Sequence, residues 1–153
     1  MEMKVVQNVV IDLPVREIFA YVAEFENLAD WSGAVIAVRK TPSGTMHVGT
    51  TVRTTIRFFG RWVQSTYEVV ECEPGHHITF KSIAGIAPCV FCYSFEPLED
   101  GRTCLSFEAV IRTKGWFLGL AEPTAASAIR RQIEHDLLTL KDILESGALI
   151  DVE

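Results

Sequence analysis

The sequence predicts an α+β fold in which a seven-stranded antiparallel sheet wraps around one long C-terminal helix. The chain opens with a strand pattern that runs directly into two short helical patterns. From Val35 onward, apolar residues alternate with period two between turn residues. A single long helical pattern with one apolar stripe, Pro123 to Glu145, closes the chain. A sheet with one apolar face and a helix with one apolar stripe bury each other, with room between them for a small apolar molecule.

The first elements are a strand and two short helices. Residues 4–12 alternate loosely and are rich in Val and Ile, as strands are. Pro14 then stands near a first helical position, where its missing N–H costs no hydrogen bond. A second short helix is predicted through Leu28 to Trp31. The apolar face of the first helix has helical spacing and consists of Ile18, Phe19, Val22 and Phe25.

Six further strands fill the middle of the chain. Short turns such as Pro74-Gly75 and Asp100-Gly101 separate them. Because a parallel crossover needs a dozen or more residues, strands joined by such turns must be antiparallel. The predicted strands are residues 35–41, 48–59, 61–72, 77–83, 88–97 and 103–113.

The closing helix is long enough to cross the whole sheet, at about 35 Å for its predicted residues. Gly147 stands where a C-cap glycine belongs. The apolar stripe of the helix is Ala125, Ile129, Ile133, Leu137, Leu140 and Leu144.

Length and composition suit one domain spanning residues 1–153. The hydrophobic content of 48% excludes a disordered chain. No apolar run reaches the roughly 18 residues of a membrane span, and the first residues lack a signal-peptide pattern. We therefore expect a cytoplasmic protein without stable membrane insertion.

Charge and cysteine spacing narrow the functional classes. The net charge of −6 repels phosphate backbones, so nucleic acid is not an expected partner. Cys89 and Cys92 have metal-site spacing, but side chains three apart on a strand point to opposite faces. We expect neither a metal nor another cofactor, and no nucleophile motif is present.

Several segments carry a family resemblance, in order along nearly the whole chain. They are Ile11-Asp-Leu-Pro-Val-Arg-Glu-Ile-Phe-Ala-Tyr-Val22, Leu28-Ala-Asp-Trp31, Tyr67-Glu-Val-Val-Glu-Cys-Glu-Pro74, Tyr93-Ser-Phe-Glu-Pro97 and Leu137-Leu-Thr-Leu-Lys-Asp-Ile-Leu-Glu145. The chain resembles the START/Bet v1-like (SRPBCC) superfamily, in particular its polyketide cyclase/dehydrase and lipid transport group. The resemblance implies a helix-grip fold around an internal cavity. Members of the superfamily include lipid carriers, aromatic-ring cyclases and chaperone-associated domains, so the fold does not choose a function.

Strand alternation and the helix stripe suggest which side chains face the space between sheet and helix. If the register of a strand shifts by one residue, its inward-facing and outward-facing side chains exchange places. The register is least certain for the strand 61–72. Large aromatics opposite small helix residues either enclose a cavity or interdigitate into a solid core. The ligand-binding candidates are Ile56, Phe58, Ser65, Tyr67, Phe80, Phe91, Tyr93, Phe95, Phe107, Leu118, Ala121, Ala125 and Ile129.

Three functional hypotheses follow. The first is a monomer or homodimer that encloses a small hydrophobic molecule, such as a lipid or a polyketide-like aromatic. The second is a cyclase or dehydratase in which Tyr67 and Tyr93 donate or relay protons. The third is a protein-interaction domain of the chaperone-associated type, with a filled core. The apolar segment Trp116 to Leu120 is interpreted as a lid over the cavity or as an exposed patch for a second copy or a membrane.

Overall fold

Alternating apolar residues and short turns produce the predicted sheet. The computed structural model describes residues 2–42 and 44–147, and within them seven strands pair antiparallel in the order β1-β7-β6-β5-β4-β3-β2. The first strand closes the sheet beside the last, and each other strand pairs with its neighbour in sequence. The strands are β1 Glu2–Ile11, β2 Val35–Thr41, β3 Thr51–Phe58, β4 Arg61–Glu73, β5 His77–Ala84, β6 Cys89–Pro97 and β7 Thr103–Arg112.

The helices begin and end close to the predicted residues. Pro14 precedes α1, and Pro123 lies in the first turn of α3. Gly147 follows α3 with a φ of +74°, the left-handed conformation expected just after a helix. The helices are α1 Val15–Ala23, a 3₁₀ turn Phe25–Asn27, α2 Leu28–Trp31 and α3 Glu122–Glu145.

The predicted register of β4 is confirmed. Val63 and Val69 are buried, whereas Trp62 is 65% exposed on the outer face. Two register shifts mark the pairing of β4 with β5, one at Thr66 to Tyr67 and one at Val69 to Glu71. Bulges of this kind bend a strand and increase the local twist of the sheet.

The strand predicted over 48–59 begins later, at Thr51. The Thr50 side chain accepts a hydrogen bond from the backbone N–H of His47 at 3.1 Å, and the Thr50 N–H donates back to the His47 carbonyl at 3.0 Å. These local bonds form a turn, so the regular strand begins only at Thr51, although Gly49 and Thr50 still exchange backbone hydrogen bonds with Val69 of β4.

A short hairpin that the sequence does not reveal precedes α3. Strands β8 Trp116–Phe117 and β9 Leu120–Ala121 pair across Leu118 and Gly119. Both turn residues have positive φ, +54° and +81°. The alternation is too short to be seen as a strand pattern, which explains its absence from the prediction.

The C-terminal half of α3 is tied to β1. Lys141 Nζ donates to the Val10 carbonyl at 2.7 Å, and Glu145 Oε2 accepts from the Asp12 N–H at 2.7 Å. Lys141 and Glu145 also form an ion pair of 2.8 Å. Across the described residues, no helix has the length and apolar character that a bilayer crossing requires.

Candidate functional site

A cavity of about 200 Å³ lies between the inner face of the sheet and the helices α2 and α3. Its walls are mostly apolar. From the sheet come Thr54, Ile56, Phe58, Tyr67, Cys89, Phe91, Tyr93, Phe107, Ala109 and Ile111, and from the helices and hairpin come Phe25, Leu28, Trp31, Phe117, Leu118, Ile129, Gln132, Ile133, Asp136 and Leu137. The space that the fold class predicts is therefore present.

Aromatic rings hold one side of this cavity rigid. Phe91 stacks on Phe80 at 4.7 Å, and Phe80 stacks in turn on Phe25. Tyr67 meets Phe91 edge-on at 4.9 Å, and Tyr93 contacts Phe107 at 5.2 Å. Because each ring packs against another, this side of the cavity presents a continuous aromatic surface.

One carboxylate faces the cavity from α3. Asp136 is 2% exposed, and its two oxygens accept three hydrogen bonds. Gly33 N and Gln132 Nε2 donate to Oδ1 at 3.0 and 2.8 Å, and Ser32 Oγ donates to Oδ2 at 2.9 Å. This network satisfies the buried charge and ties the end of α2 to α3.

The two cavity tyrosines are kept neutral. Burial raises the pKa of Tyr93 well above its ordinary value, and the negative charge of Asp136 raises it further. Burial, and after it the neighbouring Cys89, raises the pKa of Tyr67 to about 12, while a side-chain hydrogen bond with Ser65 acts in the opposite direction. A neutral phenol donates one hydrogen bond, so both hydroxyls can hold a carbonyl or hydroxyl of a ligand.

The two cysteines with metal-site spacing are separated by the sheet. Cys89 lines the cavity, where burial raises the pKa of its thiol to about 11. The Cys92 thiol accepts a hydrogen bond from Thr79 Oγ1 at 3.3 Å, away from the cavity. Within residues 2–42 and 44–147 no cluster of three or more His, Cys, Asp or Glu side chains is placed to hold a metal ion.

Most of the predicted ligand-binding residues reach the cavity. The sheet brings them to one wall, and α3 and the β8–β9 hairpin supply the other. Those on its surface are Ile56, Phe58, Tyr67, Phe91, Tyr93, Phe107, Leu118 and Ile129.

Five of the predicted residues lie elsewhere. Phe80 is fully buried behind Phe91, and Phe95 packs edge-on against Phe19 of α1. Ala125 packs with Met3 and Ile111 in a second apolar cluster. A residue on the inner face of the sheet therefore does not necessarily border the cavity, because α1 and the start of α3 cover parts of that face. The other two predicted residues outside the cavity are Ser65 and Ala121. Ser65 packs closely against Gly85, and Ala121 is exposed to solvent just before α3.

The polar residues of α3 are absent from the sequence prediction. Asp136 lies three residues after Ile133 and four before Leu140, so it falls on the apolar stripe itself. A charged residue inside such a stripe is the signal that would have identified it. Gln132, its hydrogen-bond donor, lies one turn earlier on the same face.

The β8–β9 hairpin forms part of the cavity wall. Phe117 and Leu118 of this hairpin line the cavity together with Phe58 at the end of β3. Arg61 lies beside that hairpin, so close that a Cβ atom at Gly119 would come within 2.9 Å of its guanidinium. Trp116 is 67% exposed, so only part of the segment Trp116 to Leu120 covers the cavity.

The same fold is found in proteins of low sequence similarity. A START superfamily protein from Mycobacterium smegmatis is 16% identical, with a TM-score of 0.78 over 94% of this chain and 97% of that one. The ZhuI aromatase/cyclase from Streptomyces sp. R1128 is 18% identical, with a TM-score of 0.78 over 97% and 96% of the two chains. The major latex-like protein 151 from Panax ginseng is 12% identical, with a TM-score of 0.69 over 95% and 97%.

The family assignment comes from the sequence. A search of curated proteins finds no significant match. The family model described as polyketide cyclase / dehydrase and lipid transport matches residues 2–145. That range includes every strand, helix and cavity residue described above. The chain therefore belongs to the polyketide cyclase/dehydrase and lipid transport family.

Proposed function

We propose that the protein binds a small hydrophobic molecule, a lipid or a polyketide-like aromatic, in the cavity between sheet and α3. The observation that carries this proposal is the composition of the cavity wall, apolar except for a few polar groups. Tyr67, Tyr93 and Asp136 all border this space. Such a wall binds an apolar body by burial and fixes its orientation through one or two hydrogen bonds.

Burial alone supplies useful affinity. At about 25 cal/mol per Å², burying about 300 Å² of apolar ligand surface contributes roughly 7 kcal/mol before the costs of association. A hydrogen bond from a tyrosine hydroxyl adds about 1 kcal/mol. Before those costs, the two terms together come to about 8 kcal/mol, close to the free energy that corresponds to a micromolar Kd.

A cavity-filling variant tests the binding site. Ala109 lies on β7 opposite Phe91, is 3% exposed and borders the cavity. Ala109→Leu extends a side chain into the ligand space, and we expect affinity for the neutral fluorophore Nile red to fall at least about tenfold. Ala37→Leu makes the same change at an exposed position of β2 and should leave binding unchanged. Equal affinity in both variants would exclude this cavity as the site.

A second candidate function is catalysis of the cyclase or dehydratase type. The feature that favours it is the grouping of two phenols and a carboxylate in one cavity. ZhuI is an aromatase/cyclase, and the di-domain protein StfQ of the steffimycin pathway, of which 52% is covered, is an ARO/CYC protein. In this chain, however, a raised pKa makes proton release from Tyr93 unfavourable, which favours hydrogen bonding over acid catalysis.

Tyrosine variants separate the two functions. If the protein is an enzyme acting on a poly-β-ketone, Tyr67→Phe or Tyr93→Phe keeps substrate binding but loses turnover. Tyr21→Phe is the matched control, since Tyr21 lies on α1 and does not border the cavity. Turnover that is unchanged in both cavity variants would remove these tyrosines from any catalytic role.

The third hypothesis, a chaperone-associated interaction domain, predicts a filled core. The described residues enclose a cavity instead, so we do not carry this hypothesis further. Residence in the cytoplasm, one domain over residues 1–153 and a monomeric or homodimeric state remain predictions. Fractionation, limited proteolysis and sedimentation velocity test them in turn.

A further inference from the structure

Most of the strongly exposed apolar side chains lie at one end of the sheet, where β3, β5 and β7 end and β4 and β6 begin. Among residues 2–42 and 44–147, every exposed Phe, Tyr or Trp side chain lies at this end. A cluster of exposed apolar groups marks an interaction surface. The apolar side chains at this end that are more than half exposed are Phe59, Trp62, Ile83, Ile86 and Trp116.

Three chain segments meet at this end of the sheet. A Cβ atom at Gly119 of the β8–β9 hairpin would come within 2.9 Å of the Arg61 guanidinium at the start of β4. Ser65 of β4 packs against the β5–β6 loop. The Arg112 N–H at the end of β7 donates to the Pro88 carbonyl of the same loop at 2.9 Å. The β3–β4 turn, the β5–β6 loop and the β8–β9 hairpin therefore lie side by side.

These segments are basic although the chain has a net charge of −6. Residues 57–63, 81–88 and 112–121, here called the basic end, contain no Asp or Glu, and their cations are Arg57, Arg61, Lys81, Arg112 and Lys114. The turns at the opposite end of the sheet, residues 71–75 and 96–101, contain no Lys or Arg, and their carboxylates are Glu71, Glu73, Glu96, Glu99 and Asp100. Charge is therefore polarised along the strands.

The β3–β4 turn contains an exposed aromatic residue that the turn itself does not favour. Phe59 and Gly60 both have positive φ, +52° and +75°, a geometry that prefers Asn-Gly or Gly-Gly. The Phe59 ring contacts Phe58 at 4.6 Å, yet the side chain stays 59% exposed. Strain that is kept at an exposed position points to a function for the side chain.

From these observations we propose that the basic end docks on the surface of a membrane that contains anionic lipids. Trp and Phe rings reside at the level of the lipid headgroups, and an anionic surface attracts Arg and Lys beside them. None of the five exposed apolar side chains borders the cavity, so the docking does not rest on the proposed ligand.

A lipid surface fits the basic end better than the other partners do. Ile83 and Ile86 offer aliphatic surface, which is buried in lipid but does not stack on nucleic-acid bases. The carboxylates of the opposite end repel a phosphate backbone that extends past the basic end. A symmetric dimer through this surface would bring its cations against those of the second copy.

Vesicle flotation with the full chain tests the docking. Binding to vesicles of phosphatidylcholine with about 30% phosphatidylglycerol should be at least about tenfold stronger than binding to phosphatidylcholine alone, and should weaken as salt rises. Trp62 and Trp116 are exposed, whereas Trp31 is buried, so the tryptophan emission should shift to shorter wavelength on docking. No binding to either vesicle, or equal binding to both, would overturn the proposal.

Paired variants locate the surface. Trp62→Ala with Trp116→Ala, and separately Arg57→Gln with Lys114→Gln, should each weaken vesicle binding at least about tenfold. Two control pairs change exposed residues elsewhere and should bind vesicles as the unmodified protein does. They are Val48→Ala with Leu138→Ala and Arg16→Gln with Arg39→Gln. Equal losses in test and control pairs would overturn the assignment to the basic end.

Two further measurements distinguish the other partners and the cavity. Self-association in sedimentation velocity, or binding of labelled oligothymidylate, that the Trp62 and Trp116 pair abolishes would overturn the proposal if vesicle binding is absent. Nile red binding in solution should be equal in all four pairs, because none of their residues lines the cavity. A protein that docks on vesicles but binds no Nile red would sustain this proposal and overturn the proposed function.

Discussion

Asp136 both stabilises the fold through its hydrogen bonds and lines the cavity. Placing a carboxylate inside an apolar stripe is costly unless its oxygens are paired. Here Ser32 and Gly33, which follow α2, and Gln132 of α3 itself supply the donors that meet that need. The same carboxylate raises the pKa of the Tyr93 phenol on the opposite sheet. A single residue thus ties the segment after α2 to α3 and adds to the effect of burial on the pKa of a cavity tyrosine.

Two substitutions at this position should differ in stability. Asp136→Ala leaves three donors unpaired and should lower the free energy of unfolding by about 3 kcal/mol. Asp136→Asn should cost only about 1 kcal/mol, because the amide oxygen still accepts from Gly33 and Gln132 while the Ser32 hydroxyl can turn to accept from the amide nitrogen. Urea unfolding at neutral pH measures both losses. Equal losses would show that the hydrogen bonds kept by the amide contribute nothing and that the effect comes from removing the carboxylate charge.

The cavity tyrosines predict an alkaline loss of stability. Their pKa in the folded protein lies above the ordinary value of about 10, to about 12 for Tyr67 and higher for Tyr93. The unfolded chain therefore releases these protons first, so it is favoured as the pH rises from about 10 toward 12, by up to about 1.4 kcal/mol per pH unit for each tyrosine. Urea unfolding across this range should show the decline, and Tyr67→Phe should reduce its slope. A slope equal to that of the unmodified protein would contradict the raised pKa.

At the scale of elements, turn chemistry makes most of the fold predictable. Asp100-Gly101 and Pro74-Gly75 fix strand order locally, so sheet and helix bounds follow within a few residues. Which inward residues border the cavity depends instead on distant contacts. Phe95 is covered by Phe19 of α1, and no local pattern records that contact. The β8–β9 hairpin likewise could not be predicted, because its strands are two residues long and show no alternation of apolar and polar residues.

In that hairpin, a residue with a strained backbone conformation also lines the cavity. Leu118 lines the cavity with a φ of +54°, a conformation that costs a non-glycine residue about 1 kcal/mol. Leu118→Gly removes both the strain and part of the wall, so stability should change by less than about 1 kcal/mol while Nile red dissociates faster. Stopped-flow dilution measures that rate.

Phe59→Gly is the control for this change. Phe59 also has positive φ, +52°, but is 59% exposed and does not line the cavity. The Phe59→Gly substitution should relieve backbone strain without altering the rate of Nile red dissociation. If both variants release the fluorophore at the rate of the unmodified protein, the hairpin does not act as a lid.

For the whole molecule, the architecture divides into a rigid part and a part that bounds the cavity. The sheet is continuous from β1 through β7 to β2, and α3 is tied to β1 through Lys141 and Glu145. The other wall consists of α2, which is one turn long, and a hairpin of two-residue strands. Few backbone hydrogen bonds hold these short elements, so they should open at the lowest free energy.

Hydrogen exchange tests this division and the binding site together. Amides of β1, β6, β7 and the second half of α3 should exchange slowest, and those of α2 and the β8–β9 hairpin fastest. Nile red at about 100 times its Kd should stabilise the folded state by about 2.7 kcal/mol, which would slow every amide that exchanges through global unfolding. Local exchange should slow only where the ligand closes the cavity, at α2 and the hairpin. Protection of the slow strands with no change at α2 and the hairpin would mean that the ligand binds without closing this wall, and would place the opening of the cavity elsewhere in the fold.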